Sequence, residues 1–285
     1  MTTQVFLIQA HKDLDQLNAL VEQLRDDDFV VYVNLDRKCA LDPAAVHPFA
    51  RQVKHRVDVH WGTFSQVQAV LNSLQQIVAE VPAFDKVIFL SAQDFPLLSN
   101  ARLKDALAAL AGHELLDTVA IGAGPGEWAA GFRYQYFHRG EGPPLARLAC
   151  RVANRAMRAA GVTRRLPGGM RPYGGSSWWA LSQACVRDIL ARVARDPSLV
   201  RFFRRCACPD EMFFQTLVMN SPFSGRVLGQ NFRYVQWPEH GARNPKILDE
   251  GDFERIAVST AHFCRKIDSA ASAALVPRLL ALRAG

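Results

Sequence analysis

The chain is expected to fold as an α/β protein with a mixed, mostly parallel sheet flanked by helices. Three observations predict this. Val5 to Ala10, Phe29 to Leu35 and Asp85 to Ser91 are near-continuous apolar runs of strand length, as expected of strands buried on both faces. Residues at helical spacing fill the intervals between them. The first strand, its helix and the second strand fit the roughly 30 residues of one βαβ unit, which implies parallel strands joined by a right-handed crossover.

Element by element, His11-Lys12-Asp13 reads as a loop after the first strand. Leu14, Leu17, Ala19, Leu20, Val21 and Leu24 form the apolar face of a helix, and Asp26-Asp27-Asp28 ends it. The second strand closes at Asp36-Arg37-Lys38. Val57-Asp58-Val59-His60 reads as a short strand, and Trp61 to Ser65 leads into a helix carrying Val67, Val70, Leu71, Leu74 and Ile77. The strand ending at Ser91 runs into a loop, Ala92 to Leu97, with one carboxylate, Asp94, just past the strand end. Polar groups at the C-terminal ends of such strands are the usual ligand positions. There is no G-x-G-x-x-G and no P-loop, so a nucleotide site of those types is excluded.

Further helices are expected over Ala101–Leu110, Leu145–Ala160, Phe253–Ile267 and Ala270–Leu282, the last packing on the body or on a second subunit. Between them stands Cys208-Pro209-Asp210-Glu211-Met212-Phe213-Phe214-Gln215-Thr216. Pro209 suits the start of a helix, and Asp210 and Glu211 fall in its first turn, where the helix dipole favours negative charge. A carboxylate there is held by rigid backbone yet can reach a cleft, as a general base must. The plainer alternative is that both acids only cap a surface helix.

Composition narrows the function classes. A chain of 285 residues can bury a full core. It holds no apolar run long enough to span a bilayer, and its N-terminus lacks the basic start and apolar core of a signal peptide, so a cytoplasmic location is expected. Six cysteines are scattered without a zinc-site spacing, so reduced thiols are expected. The formal charge of +7 is carried mostly by arginine. No helix-turn-helix, zinc finger or RNP-type strand accompanies it, so nucleic acid is not an expected partner. Two classes stay open: an enzyme built on a fixed carboxylate, and a non-enzymatic arginine-rich binder of acidic polymer or membrane surface.

Four words then stand in a telling order: His60-Trp61-Gly62, Leu90-Ser91-Ala92-Gln93-Asp94-Phe95-Pro96-Leu97, Gly175-Ser176-Ser177-Trp178-Trp179-Ala180-Leu181 and Pro209-Asp210-Glu211-Met212-Phe213-Phe214-Gln215-Thr216. The ordered set resembles the core-2/I-branching β-1,6-N-acetylglucosaminyltransferases and their relatives, the peptide O-xylosyltransferases, in a bacterial-type form. The likeness runs from Val5 to about Asp268 and is weak between Gly122 and Arg171. It implies a single GT-A-type glycosyltransferase domain, with a nucleotide-sugar half over about 1–120, an acceptor half over about 121–268 and a C-terminal helix over 269–285.

The resemblance also implies chemistry. It points to an inverting transfer of N-acetylglucosamine or xylose from a UDP-sugar to a hydroxyl of a glycan or glycolipid, as in polysaccharide biosynthesis, without a cofactor. Most GT-A enzymes hold the diphosphate through a metal on an Asp-x-Asp motif; here Ser91-Ala92-Gln93-Asp94 offers a single aspartate, so no metal is expected. The departing UDP must then be met by fixed cations. The resemblance assigns these to Arg243 and Lys266, and the base to Glu211. His11, Asp36 and Asp94 at strand ends, together with Trp61, are candidates for the nucleotide. Trp178, Trp179, Tyr234 and Trp237 are candidates for a sugar or acceptor wall, with core packing the open alternative.

The divergent middle carries Arg147, Arg151, Arg155 and Arg158 along one helix face, followed by Arg164, Arg165 and Arg171, with no acid from Arg147 to Arg171. A solvated face is one reading. The other is a surface for anionic lipid headgroups or an acidic acceptor, which would place the protein peripherally on the inner face of the plasma membrane.

Overall fold

The computed structural model describes residues 2–122, 132–138, 143–238 and 244–284. In chain order the elements begin with β1 (Gln4–Ala10), α1 (Leu14–Gln23), β2 (Phe29–Leu35), β3 (Arg51–Gln52), α2 (Phe64–Glu80), β4 (Lys86–Ser91), β5 (Asp94–Pro96) and α3 (Asn100–Ala109). Then come β6 (Leu115–Leu116), β7 (Val119–Ala120), α4 (Phe132–Gln135), α5 (Pro144–Ala159), β8 (Tyr173–Gly174), β9 (Trp179–Ser182), α6 (Gln183–Arg195), α7 (Pro197–Phe203) and α8 (Phe213–Met219). The chain ends through β10 (Arg233–Val235), α9 (Phe253–Ala257), β11 (Phe263–Arg265) and α10 (Leu275–Ala284). The expected α/β class, a mostly parallel sheet flanked by helices, is what these elements form.

They fall into two units that interleave along the chain. One comprises Met1–Lys54, Ala83–His113 and Asn231–Gly285, the other His55–Pro82 and Glu114–Gln230. This division differs from the consecutive halves expected from the sequence, and α10 belongs to the first unit.

In the first unit β1 pairs in parallel with β2 on one side and β4 on the other, and β2 pairs in parallel with β3. Val5, Phe6, Leu7 and Ile8 are buried, as a central strand covered on both faces requires. Asp13 caps α1 by accepting from the Gln16 amide at 3.2 Å. A second sheet sets β11 parallel to β10 and antiparallel to β5. Phe95, Leu97, Leu248, Ile256, Cys264, Ile267, Leu275 and Leu279 form the core behind it, which is where α10 packs.

One buried ion pair lies within the second sheet, and its further hydrogen bonds to β4 tie it to the first. Asp94 on β5 accepts from Arg233 Nε on β10 at 2.8 Å, and both side chains are essentially inaccessible to solvent. The other carboxylate oxygen of Asp94 accepts from the Ser91 amide at 2.6 Å and the Ser91 hydroxyl at 2.8 Å. Arg233 Nη2 donates to the Phe89 carbonyl of β4 at 2.6 Å, and Gln16 of α1 donates to the Asp94 carbonyl at 3.2 Å. Burial, with Arg233 nearby, pushes the Arg265 guanidinium down to about 10, opposed by the attraction of Asp94.

In the second unit, β6 pairs antiparallel with β9 and β7 with β8. Phe64, Phe203, Phe213, Phe214 and Trp179 build its aromatic core, with ring centroids 5.0–5.8 Å apart. Glu114, fully buried, accepts from the Ser182 amide at 2.7 Å and hydroxyl at 2.6 Å, which fixes the residue that caps α6.

Several local expectations are corrected. Val57 to His60 is not a strand; the short strand in this region is β3, upstream of it. The supposed loop after Ser91 contains β5. The helix expected over Phe253–Ile267 stops at Ala257, and Phe263–Arg265 is strand β11, because pairing with β5 and β10 overrides the local apolar spacing. The helix expected from Ala270 begins at Leu275.

Arg233→Met leaves the buried Asp94 carboxylate without its hydrogen-bonded guanidinium. It should lower unfolding stability in a denaturant titration by about 3–5 kcal/mol. A loss under about 1 kcal/mol would show that the pair does not hold these strands.

Candidate functional site

Site residues gather in each unit. In the first, the C-terminal ends of parallel strands deliver His11 after β1 and Asp36 after β2, and Lys266 follows β11. Asp36 is held by its backbone amide on the Ala10 carbonyl at 2.8 Å, and it accepts from the Lys38 amide at 3.1 Å. Lys12 lies 3.6 Å from Asp268, and Lys38 lies 4.0 Å from Asp36. Lys266 Nζ donates to Asn244 Oδ1 at 3.4 Å, its amide donates to the Lys246 carbonyl at 3.3 Å, and the following Ile267 amide donates to the Gln93 carbonyl at 2.8 Å.

The electrostatics describe a cluster of like charge. Partial burial lowers the His11 pKa, and Lys12, Lys266 and Lys38 lower it further against the pull of Asp36. Lys266 is lowered by burial, then by Arg265 and Lys12. Basic side chains gathered in this way form a ready place for a polyanionic group. Lys12 and Lys38 were missed in the sequence because each reads there as an ordinary loop charge. Arg243 lies outside the described residues. Lys266 is not in the last turn of a helix, as expected, but directly after a buried strand.

Asp94 does not join that cluster as an open ligand. Its carboxylate is turned inward and engaged by Arg233 and Ser91. Tyr234 is half-buried and packs beside the core of Phe95 and Cys264, while Trp237 is exposed.

In the second unit three of the sequence words meet. The Cys208 amide donates to the Gly62 carbonyl at 3.0 Å, which joins the His60-Trp61-Gly62 word to the Pro-Asp-Glu word. Gly62 has φ +71°, a conformation that favours glycine. Trp61, beside it, is 71% exposed and belongs to the same unit as Glu211, whereas His11 and Asp36 belong to the other. The Gly175 amide donates to the Glu211 carbonyl at 2.9 Å. A Cβ on Gly175 would sit 2.0 Å from the Asp117 carbonyl oxygen, so only glycine fits there. Gln215 Nε2 donates to the Ser176 carbonyl at 2.6 Å, closing the knot between the two words. Trp179 is core, against Phe214, and Trp178 is half-buried.

Asp210 and Glu211 occupy a 3₁₀ turn, Pro209–Glu211, ahead of α8, not the first turn of one continuous helix. The turn sends them to different partners. The Ser177 hydroxyl donates to Asp210 at 2.8 Å, and burial raises the Asp210 pKa against that hydrogen bond and the charge of Arg133. The plainer alternative, that both acids only cap a helix, is not met: neither this turn nor α8 has a side-chain cap. Glu211 pairs instead with Arg133 of α4 and keeps about a third of its side chain exposed (34%). A guanidinium against a carboxylate fixes its orientation. Arg133 was invisible to sequence reasoning, being 78 positions away in the divergent middle.

Among the described residues no group of three or more His, Cys, Asp and Glu side chains is placed to hold a metal ion. The arrangement offers two features from its own residues: a partly exposed carboxylate on a rigid turn, and a cluster of cations at strand ends.

Comparison with known proteins matches residues 5–257 to the family described as Core-2/I-Branching enzyme. The chain is similar to xylosyltransferase oxt of Drosophila pseudoobscura pseudoobscura, 25% identical over 233 residues, covering 79% of this chain and 25% of that protein. It is also similar to xylosyltransferase 2 of Canis lupus familiaris, 26% identical over 244 residues, covering 81% and 26%. A xylosyltransferase of Ciona intestinalis is 23% identical over 240 residues, covering 81% and 26%. The chain spans about a quarter of the length of these curated relatives.

Proposed function

Because the chain belongs to the Core-2/I-branching enzyme family of glycosyltransferases, we propose that it transfers N-acetylglucosamine or xylose from a UDP-sugar to a hydroxyl of a glycan or glycolipid, with inversion. The acceptor hydroxyl oxygen attacks the anomeric carbon as the bond to UDP breaks. The hydroxyl proton passes to Glu211, and the negative charge leaves with UDP. The observation that carries this reading is Glu211 itself, ion-paired with Arg133, anchored by Gly175 and partly exposed. A base must be fixed and reachable, and the ion pair and the partial exposure support that reading.

Lys266 meets the diphosphate in this proposal, with Lys12 and Lys38 adding to the local positive charge. Arg243 keeps the same assignment from the sequence. His11 and Asp36 flank the nucleotide. The reaction needs no divalent metal: the one acid of Ser91-Ala92-Gln93-Asp94 is already committed to Arg233 and Ser91, and cations of the chain neutralise the leaving group.

Glu211→Gln should lower turnover, followed as UDP release, by about 10²–10⁴ while UDP affinity and the melting temperature stay near wild type. Asp210→Asn should keep most turnover and lose about 1 kcal/mol of stability. Arg133→Gln should lower turnover while UDP affinity stays near wild type, because the carboxylate loses the partner that fixes its orientation. Unchanged turnover in Glu211→Gln would remove the base assignment and favour a non-enzymatic binder.

Lys266→Ala should weaken UDP binding by about 1.5–3 kcal/mol and uridine binding far less, measured by titration calorimetry. Because the Lys266 pKa is lowered, UDP affinity in the wild type should fall on raising the pH sooner than an ordinary lysine would allow. Equal UDP affinity in the variant and wild type would exclude the residue.

A further inference from the structure

We propose that α5 is a membrane-surface element, which lays an apolar stripe on a bilayer containing anionic lipid. The inference is independent of the transfer chemistry. No residue of this helix is buried, yet it is strongly amphipathic. Leu145, Leu148 and Val152, spaced i, i+3 and i+7, share one face and are 80%, 50% and 60% exposed. Ala149 and Ala156 extend that face and are also exposed. Arg147, Arg151, Arg155 and Arg158 run alongside it, all exposed.

The opposite side docks the helix to its own unit. Asn154 donates to the Phe137 carbonyl at 2.7 Å and accepts from the Phe137 amide at 2.9 Å, and the Cys150 thiol donates to the same carbonyl at 3.2 Å. The stripe and the arginines are therefore presented outward by a helix already fixed in place. Arg164 is not part of that surface, contrary to the expectation that the whole basic stretch acts together. It donates to the carbonyls of Phe202 at 2.7 Å and Arg205 at 2.9 Å, and stacks on Phe137 and Phe202.

The two faces together select the occupant. A soluble polyanion would use the arginines and leave the leucines in water. A bilayer interface takes both, since apolar side chains insert at the acyl boundary while arginines reach the headgroups from the flank. No acid occurs from Arg147 to Arg171 to oppose an anionic surface.

The test is co-sedimentation of the full chain with phosphatidylcholine vesicles, with and without phosphatidylglycerol. Binding is expected only to the anionic vesicles and should weaken with salt. The double variants Leu148→Gln with Val152→Gln, and Arg151→Gln with Arg155→Gln, should each reduce partitioning by about ten-fold or more, while turnover on a soluble acceptor is retained. No binding to the anionic vesicles would overturn the proposal. So would undiminished binding in the Leu148/Val152 variant, which would mark a purely electrostatic polyanion site. A dimer that the same variant dissolves in sedimentation velocity would also overturn it, by assigning the stripe to a second copy.

Discussion

The first unit depends on one buried charge pair. Asp94 and Arg233 lie 139 positions apart in the chain, and their contact links β5 and β10, the two strands that flank β11. Around it are arranged Ser91 at the end of β4, Gln16 on α1, and β11, whose Arg265 stands opposite Asp94. Such a pair costs desolvation on both sides, so its gain lies in geometry more than in net stability. What it positions is the segment after β11. Lys266 follows Arg265 directly, and Ile267 is pinned to Gln93, one residue before Asp94. Asp94 thereby anchors the strands that lead to Lys266.

The second unit uses a different constraint for a similar end. Gly175 lets two backbone segments approach more closely than any side chain would permit, and its amide holds the Glu211 carbonyl. Ser177 and Arg133 then draw the neighbouring acids apart, one toward a hydroxyl and one toward a guanidinium. Two adjacent carboxylates thereby receive different environments: Asp210 is desolvated and raised, and Glu211 is paired and partly exposed. This difference of surroundings is the basis for dividing their roles.

The long parallel strands were legible because burial on both faces writes an unbroken apolar run, as in β1, β2 and β4. The three-residue strands β5, β10 and β11 were not legible. They exist through pairing across long separations, and Phe263 to Arg265 carries no local signal that outweighs the helical spacing around it. Glu211 could be singled out from its motif, and the glycine of Gly175-Ser176-Ser177 marked a close approach in hindsight. Arg133, Lys12 and Lys38 could not be singled out, since a charge in a loop shows nothing of its partner until the chain is folded. The exposed leucines of α5 were equally hidden: periodicity identifies an apolar face but does not say which way it points.

The central claim is that one carboxylate and fixed cations suffice for a single inverting displacement. The measurement closest to it is the anomeric configuration of the product, read by proton NMR after reaction of an α-linked UDP-sugar in the presence of a chelator. A β-linked product formed at an undiminished rate is expected. An α-linked product, or one that appears only after divalent metal is restored, would contradict it.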